Sequence, residues 1–170
     1  MKQKHGHADK TIEVIIETPR GSAEKYSYDT GSHLFRMKKI LPAGMVFPYD
    51  FGFIPNTSGE DGDPLDAVVI SSFRSYPGIS MHCRIIGVIE ARQSQDKKMI
   101  RNDRFLAIPV EAVLLSNIHS ASDLPRIILE ELEQFFINYN ALEGKKFKTE
   151  RIREAGEAFK KLQKNRSKIY

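Results

Sequence analysis

Cysteine is almost absent from this chain: Cys83 is the only one in 170 residues. A lone cysteine excludes an internal disulfide framework and any zinc site built on several cysteines, and the expected compartment is the cytoplasm. Cys83 itself sits in an apolar stretch and reads as a core residue rather than a nucleophile. Long hydrophobic runs are also missing. Nothing approaches the roughly 18 consecutive apolar residues of a membrane-spanning helix, so no membrane partner is expected. The segment Met1 to Lys10 is polar and lacks the apolar middle of a signal peptide. Internal repeats and low-complexity linkers are absent too. A chain of this length buries roughly 70% of its unfolded surface, so we expect one domain over residues 1–170, with a flexible stretch at 1–10 and a basic helix or tail at 145–170.

The net charge of +4 is a property of one segment. Residues 145–170 carry 10 Lys and Arg against 3 Asp and Glu, whereas the other 144 residues carry 16 against 19. The body of the protein is therefore mildly acidic, which suits a cation site better than a phosphate-backbone groove. The basic tail has no interleaved aromatic platform, so no nucleic-acid partner is expected.

Thr11–Thr18 is β-branched and mostly alternating and reads as a strand, broken by Pro19-Arg20-Gly21-Ser22. Lys25–Asp29 and Leu34–Lys39 read as a hairpin around the turn Asp29-Thr30-Gly31-Ser32. Residues 42–64 are rich in Pro, Gly, Asp and Asn and are expected to be loop. Leu65–Ile70, His82–Glu90 and Phe105–Val110 read as further strands, separated by the polar stretch Arg92–Arg104. After Asn117 the period changes. Ser122 or Asp123 can cap a helix with Pro125 in its first turn, and Ile128, Leu132, Phe135, Phe136 and Tyr139 then fall on one face up to Gly144. Ile152, Ala155, Phe159 and Leu162 mark a second, basic helix. Strands followed by two helices predict an α+β fold.

Chemistry concentrates in Asp61-Gly62-Asp63-Pro64-Leu65-Asp66, where three carboxylates run from a Gly/Pro turn straight into an apolar strand. Crowding them beside a core strand costs electrostatic energy unless a cation lies between them, and a hard divalent ion takes oxygen ligands of this kind. Read from spacing alone, a solvated acidic turn explains the segment equally well. An EF-hand does not fit: counted from Asp61, its fifth, sixth and twelfth positions are Leu65, Asp66 and Ser72.

Asp-Gly-Asp-Pro-Leu-Asp resembles the signature of the family I soluble inorganic pyrophosphatases. The resemblance runs from Thr11 to about Lys148 and takes in Ile16-Glu17-Thr18-Pro19, Lys25-Tyr26, Phe47-Pro48-Tyr49-Asp50-Phe51-Gly52-Phe53-Ile54-Pro55, and Phe135-Phe136 through Tyr139. It implies a small, distorted five-stranded OB-like β-barrel with two C-terminal helices packed outside. It implies Mg²⁺-dependent hydrolysis of inorganic pyrophosphate, with several Mg²⁺ ions per site and Mn²⁺ as a substitute, and a homo-oligomer, hexameric in typical bacterial members. It also implies roles. Asp61 and Asp66 match metal ligands, Asp66 bridging. Asp63 matches the aspartate that helps activate the attacking water, and Glu17 a glutamate near the metal-bound substrate. Lys25 and Tyr139 match phosphate-binding residues.

The departures from the family pattern cluster around the same chemistry. Ser27 stands where a glutamate is usual, Lys39 at a phosphate-binding arginine, Phe47 and Phe51 at tyrosines, and Asn140 at a lysine. In the longer stretch Gln93–Arg104, Asn102 falls at a ligand aspartate, Arg104 at a lysine, and Gln93 at an earlier aspartate. Asn102 keeps an oxygen for a metal, and Asp103 or Asp96 can supply a replacement carboxylate if the loop re-aims it. Arg104 keeps the positive charge for phosphate. Three readings follow: a pyrophosphatase, a hydrolase of another phosphoanhydride such as polyphosphate or a nucleoside polyphosphate, and an impaired relative that binds metal and pyrophosphate without turnover. His5 and His7 read as part of a polar terminus, and His33, His82 and His119 show no ligand spacing.

Overall fold

In the computed structural model, residues 10–167 are described; the flexible stretch and the His5/His7 pair expected at the N-terminus lie outside them, apart from Lys10. The expected strands form: β1 (Thr11–Thr18), β2 (Glu24–Asp29), β3 (Leu34–Ile40), β5 (Leu65–Val69), β6 (Ser80–Gln95) and β8 (Arg104–Pro109). Three more appear where no strand was expected. The segment 42–64 contains β4 (Asp50–Ile54), the polar stretch 92–104 contains β7 (Lys98–Arg101), and β9 (Phe147–Glu154) precedes the last helix. Two helices follow the expected order, α1 (Arg126–Ala141) and α2 (Ala155–Lys164). Ile152 is therefore a strand residue, and the basic segment is a strand plus a helix. Pro125 precedes α1 rather than lying in its first turn, because Asp123 accepts hydrogen bonds from the His119 and Ser120 N–H groups and closes a separate 3₁₀ turn at Ala121–Asp123.

The main sheet is mixed and runs β1-β4-β5-β8-β6-β7, with β9 added on β6 and a second pairing between β1 and β6; β2 and β3 form their own hairpin. Among the described residues only β5 and β8 pair in parallel, and there Asp66 faces Arg104 in register. The long β6 carries register shifts between Ile85 and Gly87 and between Glu90 and Ala91, which let one strand serve several neighbours.

Side-chain alternation divides the interior into two layers. Val68, Leu106 and Ile108 pack with Phe47, Phe51, Leu132, Phe136 and Phe147 beneath α1. Ala67, Val69, Phe105 and Ala107 pack with Ile12, Val14, Ile16, Ala158 and Leu162 beneath α2. Coverage on both faces explains why β5 is apolar from Ala67 to Val69, beyond Asp66. Cys83 belongs to the second layer, and burial pushes its thiol up to about 12, the state of an inert core residue.

Charges fasten α2 to the sheet. Lys161 Nζ lies 2.7 Å from Glu90 Oε1 and 2.7 Å from Asp103 Oδ2, and Arg153 Nε lies 3.3 Å from Glu90 Oε2. Burial alone would raise the Glu90 carboxyl, but Lys161 and Arg153 together hold it below its ordinary value of 4.5. A depressed folded-state pKa contributes stability above the unfolded value and loses it as pH falls through the folded one. Glu90→Gln is therefore expected to lower stability near neutrality and to flatten its decline below pH 4.5. Urea melts at pH 7, 5 and 3 check this; parallel profiles for the two proteins would contradict it.

Candidate active site

The alternation that builds the α1 layer also aims the polar ends of the strands. Asp66 shares the face of Val68, and Arg104 shares the face of Leu106. Both therefore point to the α1 side, into a cavity of about 1040 Å³. β1 contributes Glu17, β2 contributes Lys25, the turn before β5 contributes Asp61 and Asp63, and α1 contributes Phe136, Tyr139 and Asn140. Gln93, Asp96, Lys97 and Asn102 line it from the β6–β7 hairpin and its exit. The three aspartates thus meet Glu17 and Lys25 around one space.

Most of the cations in it are already committed. Arg104 Nη1 lies 2.6 Å from Asp66 Oδ2, and Lys25 Nζ lies 3.5 Å from Glu17 Oε2. Rings hold the same cations. Lys25 Nζ is 4.2 Å from the Phe51 ring centroid and 5.6 Å from that of Phe47, while the Arg104 guanidinium is 5.0 Å from Phe136 and 5.3 Å from Phe147. The phenylalanines at 47 and 51, which lack a tyrosine's hydroxyl, thus serve as faces for a buried ammonium. Glu17 also accepts the Tyr28 N–H at 2.7 Å. Lys39 does not line the cavity but is held to two residues that do: it pairs with Glu143 and lies 3.7 Å from the Tyr139 ring centroid.

Burial weighs on the ionised groups of the site. Burial raises the Asp66 carboxyl despite Arg104 and Lys25 beside it, and burial raises Glu17 despite Lys25. Burial also raises Asp61, with Asp66 and Asp63 adding repulsion. Lys25 is lowered by burial against the pull of Glu17 and Asp66. Burial pushes the Tyr139 phenol well above its ordinary value, so its hydroxyl remains a hydrogen-bond donor at all working pH. An all-oxygen donor set whose members resist ionisation fits a hard divalent cation. Among the described residues, however, no three His, Cys, Asp or Glu side chains stand together as a ready metal-holding group. Asp66 is turned to Arg104, and Asp61 Oδ1 accepts the Asp63 N–H at 3.1 Å.

Asp103 is not brought to this cavity. It follows Asn102 and precedes Arg104, both of which line the cavity, so alternation sends it to the opposite face. There it is buried, accepts the Ala91 N–H at 3.0 Å, and pairs with Lys161 at 2.7 Å and Arg101 at 3.2 Å. That engagement corrects the expectation of Asp103 as a metal ligand; Asp96 reaches the cavity instead. Asn102 is in place, but its oxygen accepts from Arg104 and its NH₂ donates to Gln93 Oε1 at 2.9 Å. Sequence reasoning missed Lys38, Lys97, Glu143 and Lys145, which also line the cavity. Lys97 sits in a two-residue turn with positive φ at both Asp96 and Lys97 (48° and 64°). Such turns are usually signalled by Asn-Gly or Asp-Gly, and Asp-Lys carries little of that signal.

Carboxylates paired with lysine and arginine around one polar cavity define a class: a protein with an oxygen-rich site that can take a cation. Comparison with known proteins narrows the class. The inorganic pyrophosphatase family model matches residues 14–169. The inorganic pyrophosphatase of Thermus thermophilus is 36% identical over 143 residues, 83% of this chain and 78% of that relative, and that of Aquifex pyrophilus is 38% identical over 158 residues, 90% and 86%. The crystal structure of the Thermus thermophilus inorganic pyrophosphatase superposes with a TM-score of 0.84 at 31% identity, covering 94% of this chain and 91% of that one. The chain belongs to the inorganic pyrophosphatase family.

Proposed function

We propose that this cavity hydrolyses inorganic pyrophosphate to two phosphates with Mg²⁺, Mn²⁺ serving as a substitute. Family membership makes the chain an inorganic diphosphatase. The observation that carries the residue assignment is the convergence of Asp61, Asp63, Asp66, Glu17, Lys25, Arg104 and Tyr139 on one cavity. Divalent cations, when bound, neutralise the substrate and acidify the attacking water. Asp61 and Asp66 would hold them, while Asn102, expected as a further ligand, has its oxygen taken by Arg104 and braces that side chain instead. Asp63, on the exposed turn, orients the water and takes up its proton, and Glu17 steadies the same polar edge. Lys25 and Arg104 grip phosphoryl oxygens, Tyr139 donates its hydroxyl to the departing phosphate, and Lys39 adds charge behind Tyr139.

The strand pairings β1–β4–β5–β8–β6, with β6 returning to β1, support reading these five strands as a small OB-like barrel with α1 and α2 outside. No helix among the described residues is long and apolar enough to cross a membrane. The family resemblance further implies a hexameric, cytoplasmic homo-oligomer, which we carry into the proposal.

A second reading rests on the cavity's breadth and the lysines Lys38, Lys97 and Lys145 on its wall, which suit a longer phosphoanhydride. A panel of pyrophosphate, tripolyphosphate and ATP with Mg²⁺ separates the two. We expect pyrophosphate to give the highest kcat/KM and chelation of the metal to abolish release. A preference for tripolyphosphate or ATP would favour the second reading.

A further inference from the structure

Resting on the metal-holding role just proposed for Asp61 and Asp66, we infer that Arg104 is a resident cation on Asp66, so that the chain loads a single divalent ion before substrate arrives. The parallel register of β5 and β8 sets Asp66 opposite Arg104, and Arg104 Nη1 reaches Asp66 Oδ2 at 2.6 Å. The guanidinium cannot easily swing away. Arg104 is 5% exposed, its face is flanked by Phe136 and Phe147, and Nη1 also donates to the Asn102 backbone oxygen at 3.0 Å and to the Asn102 side-chain oxygen. The planar, permanently charged guanidinium suits such a boxed position better than an ammonium.

Asn102 and Gln93 extend this arm. The Asn102 oxygen accepts from Arg104, and the Gln93 oxygen accepts from Asn102. Both oxygens are thus engaged by protein N–H groups, and neither side chain carries the charge that recruits a divalent ion. The wall formed by Gln93, Asn102 and Arg104 therefore presents spent acceptors and a guanidinium already paired to Asp66; Asp96, which also lines the cavity, sits out in the turn of the β6–β7 hairpin, beyond the Gln93–Ile100 pair. The opposite side differs. Among the described residues Asp61 and Asp63 make no ion pair, and Asp66 Oδ1 remains for them to share a cation. Glu17 already has Lys25. One divalent ion answers this charge pattern; further ions must arrive with the substrate's own charge.

The test is a count of bound Mn²⁺ by equilibrium dialysis without substrate, on the wild-type chain and on Arg104→Gln. We expect one Mn²⁺ per wild-type chain and two per Arg104→Gln chain. The melting temperature of Arg104→Gln should also rise more with Mn²⁺ than the wild type's does, because the uncovered Asp66 then draws stability from the metal. Two or more ions on the wild-type chain overturn the inference without need of the variant. Equal counts in the two proteins overturn it as well. No bound Mn²⁺ on the wild type overturns it together with the metal-holding role on which it rests.

Discussion

Asp66→Asn is expected to lower phosphate release from pyrophosphate by on the order of 10²–10³-fold, the range seen when one preorganised charge-stabilising group is lost. Asp66 stands between Arg104, Lys25 and Asp63. The amide keeps the size and polarity of the carboxyl and removes the charge that binds a cation. The amide can still accept from Arg104, but the buried guanidinium loses its counter-charge, so stability has to be read beside activity. Arg104 keeps its hydrogen bonds to Asn102. A melting temperature near that of the wild type, combined with a fall in kcat rather than a rise in KM alone, identifies the loss as one of chemistry. Activity retained within a few-fold would remove Asp66 from the mechanism.

Gly52→Ala is expected to be the most damaging small substitution in the sheet. A Cβ at this position would lie 2.0 Å from the Ile15 carbonyl oxygen, 2.8 Å from its carbon and 2.9 Å from the Ile16 Cα. All three atoms are backbone of β1, paired with β4 at Ile16↔Gly52, so no rotamer relieves the overlap. The strands must part or slip, and Glu17 follows Ile16 directly. Overpacking a well-filled interior ordinarily costs 1–3 kcal/mol, and a clash with backbone falls at or above the top of that range, about 3 kcal/mol or more. Against a total of roughly 5–15 kcal/mol, that is a large share. Urea unfolding should show a much lower midpoint at unchanged slope; an unchanged midpoint would contradict the β1–β4 register.

Glu17, Asp61, Asp63, Asp66 and Lys25, singled out through the family resemblance, line one cavity because each lies in or just before a strand that the sequence pattern signals. β4 was not legible in the sequence. Asp50–Ile54 is flanked by Pro48 and Pro55 and contains Gly52. Those residues read as loop, whereas Gly52 is there because a neighbouring backbone comes too close for any side chain. β9 was missed for another reason. Its charged residues hide any alternation, Ile152 joins the helical spacing of Ala155, Phe159 and Leu162, and only the tertiary pairing with β6 makes Phe147–Glu154 a strand. Asp103 shows how little separates a site residue from a scaffold residue. Its neighbours on either side line the cavity, and the period of two sends it to Lys161 instead. Arg104 was legible as a charge but not as a partner of Asp66, because nothing in the chain announces that β5 and β8 run parallel in that register.

The most direct test of the account is phosphate release from pyrophosphate by the purified chain, measured without metal and with Mg²⁺, Mn²⁺ or Co²⁺. Release with Mg²⁺ is expected far above that of Asp66→Asn, with none beyond background once the metal is chelated. Release no greater than that of Asp66→Asn with every one of these metals would contradict it.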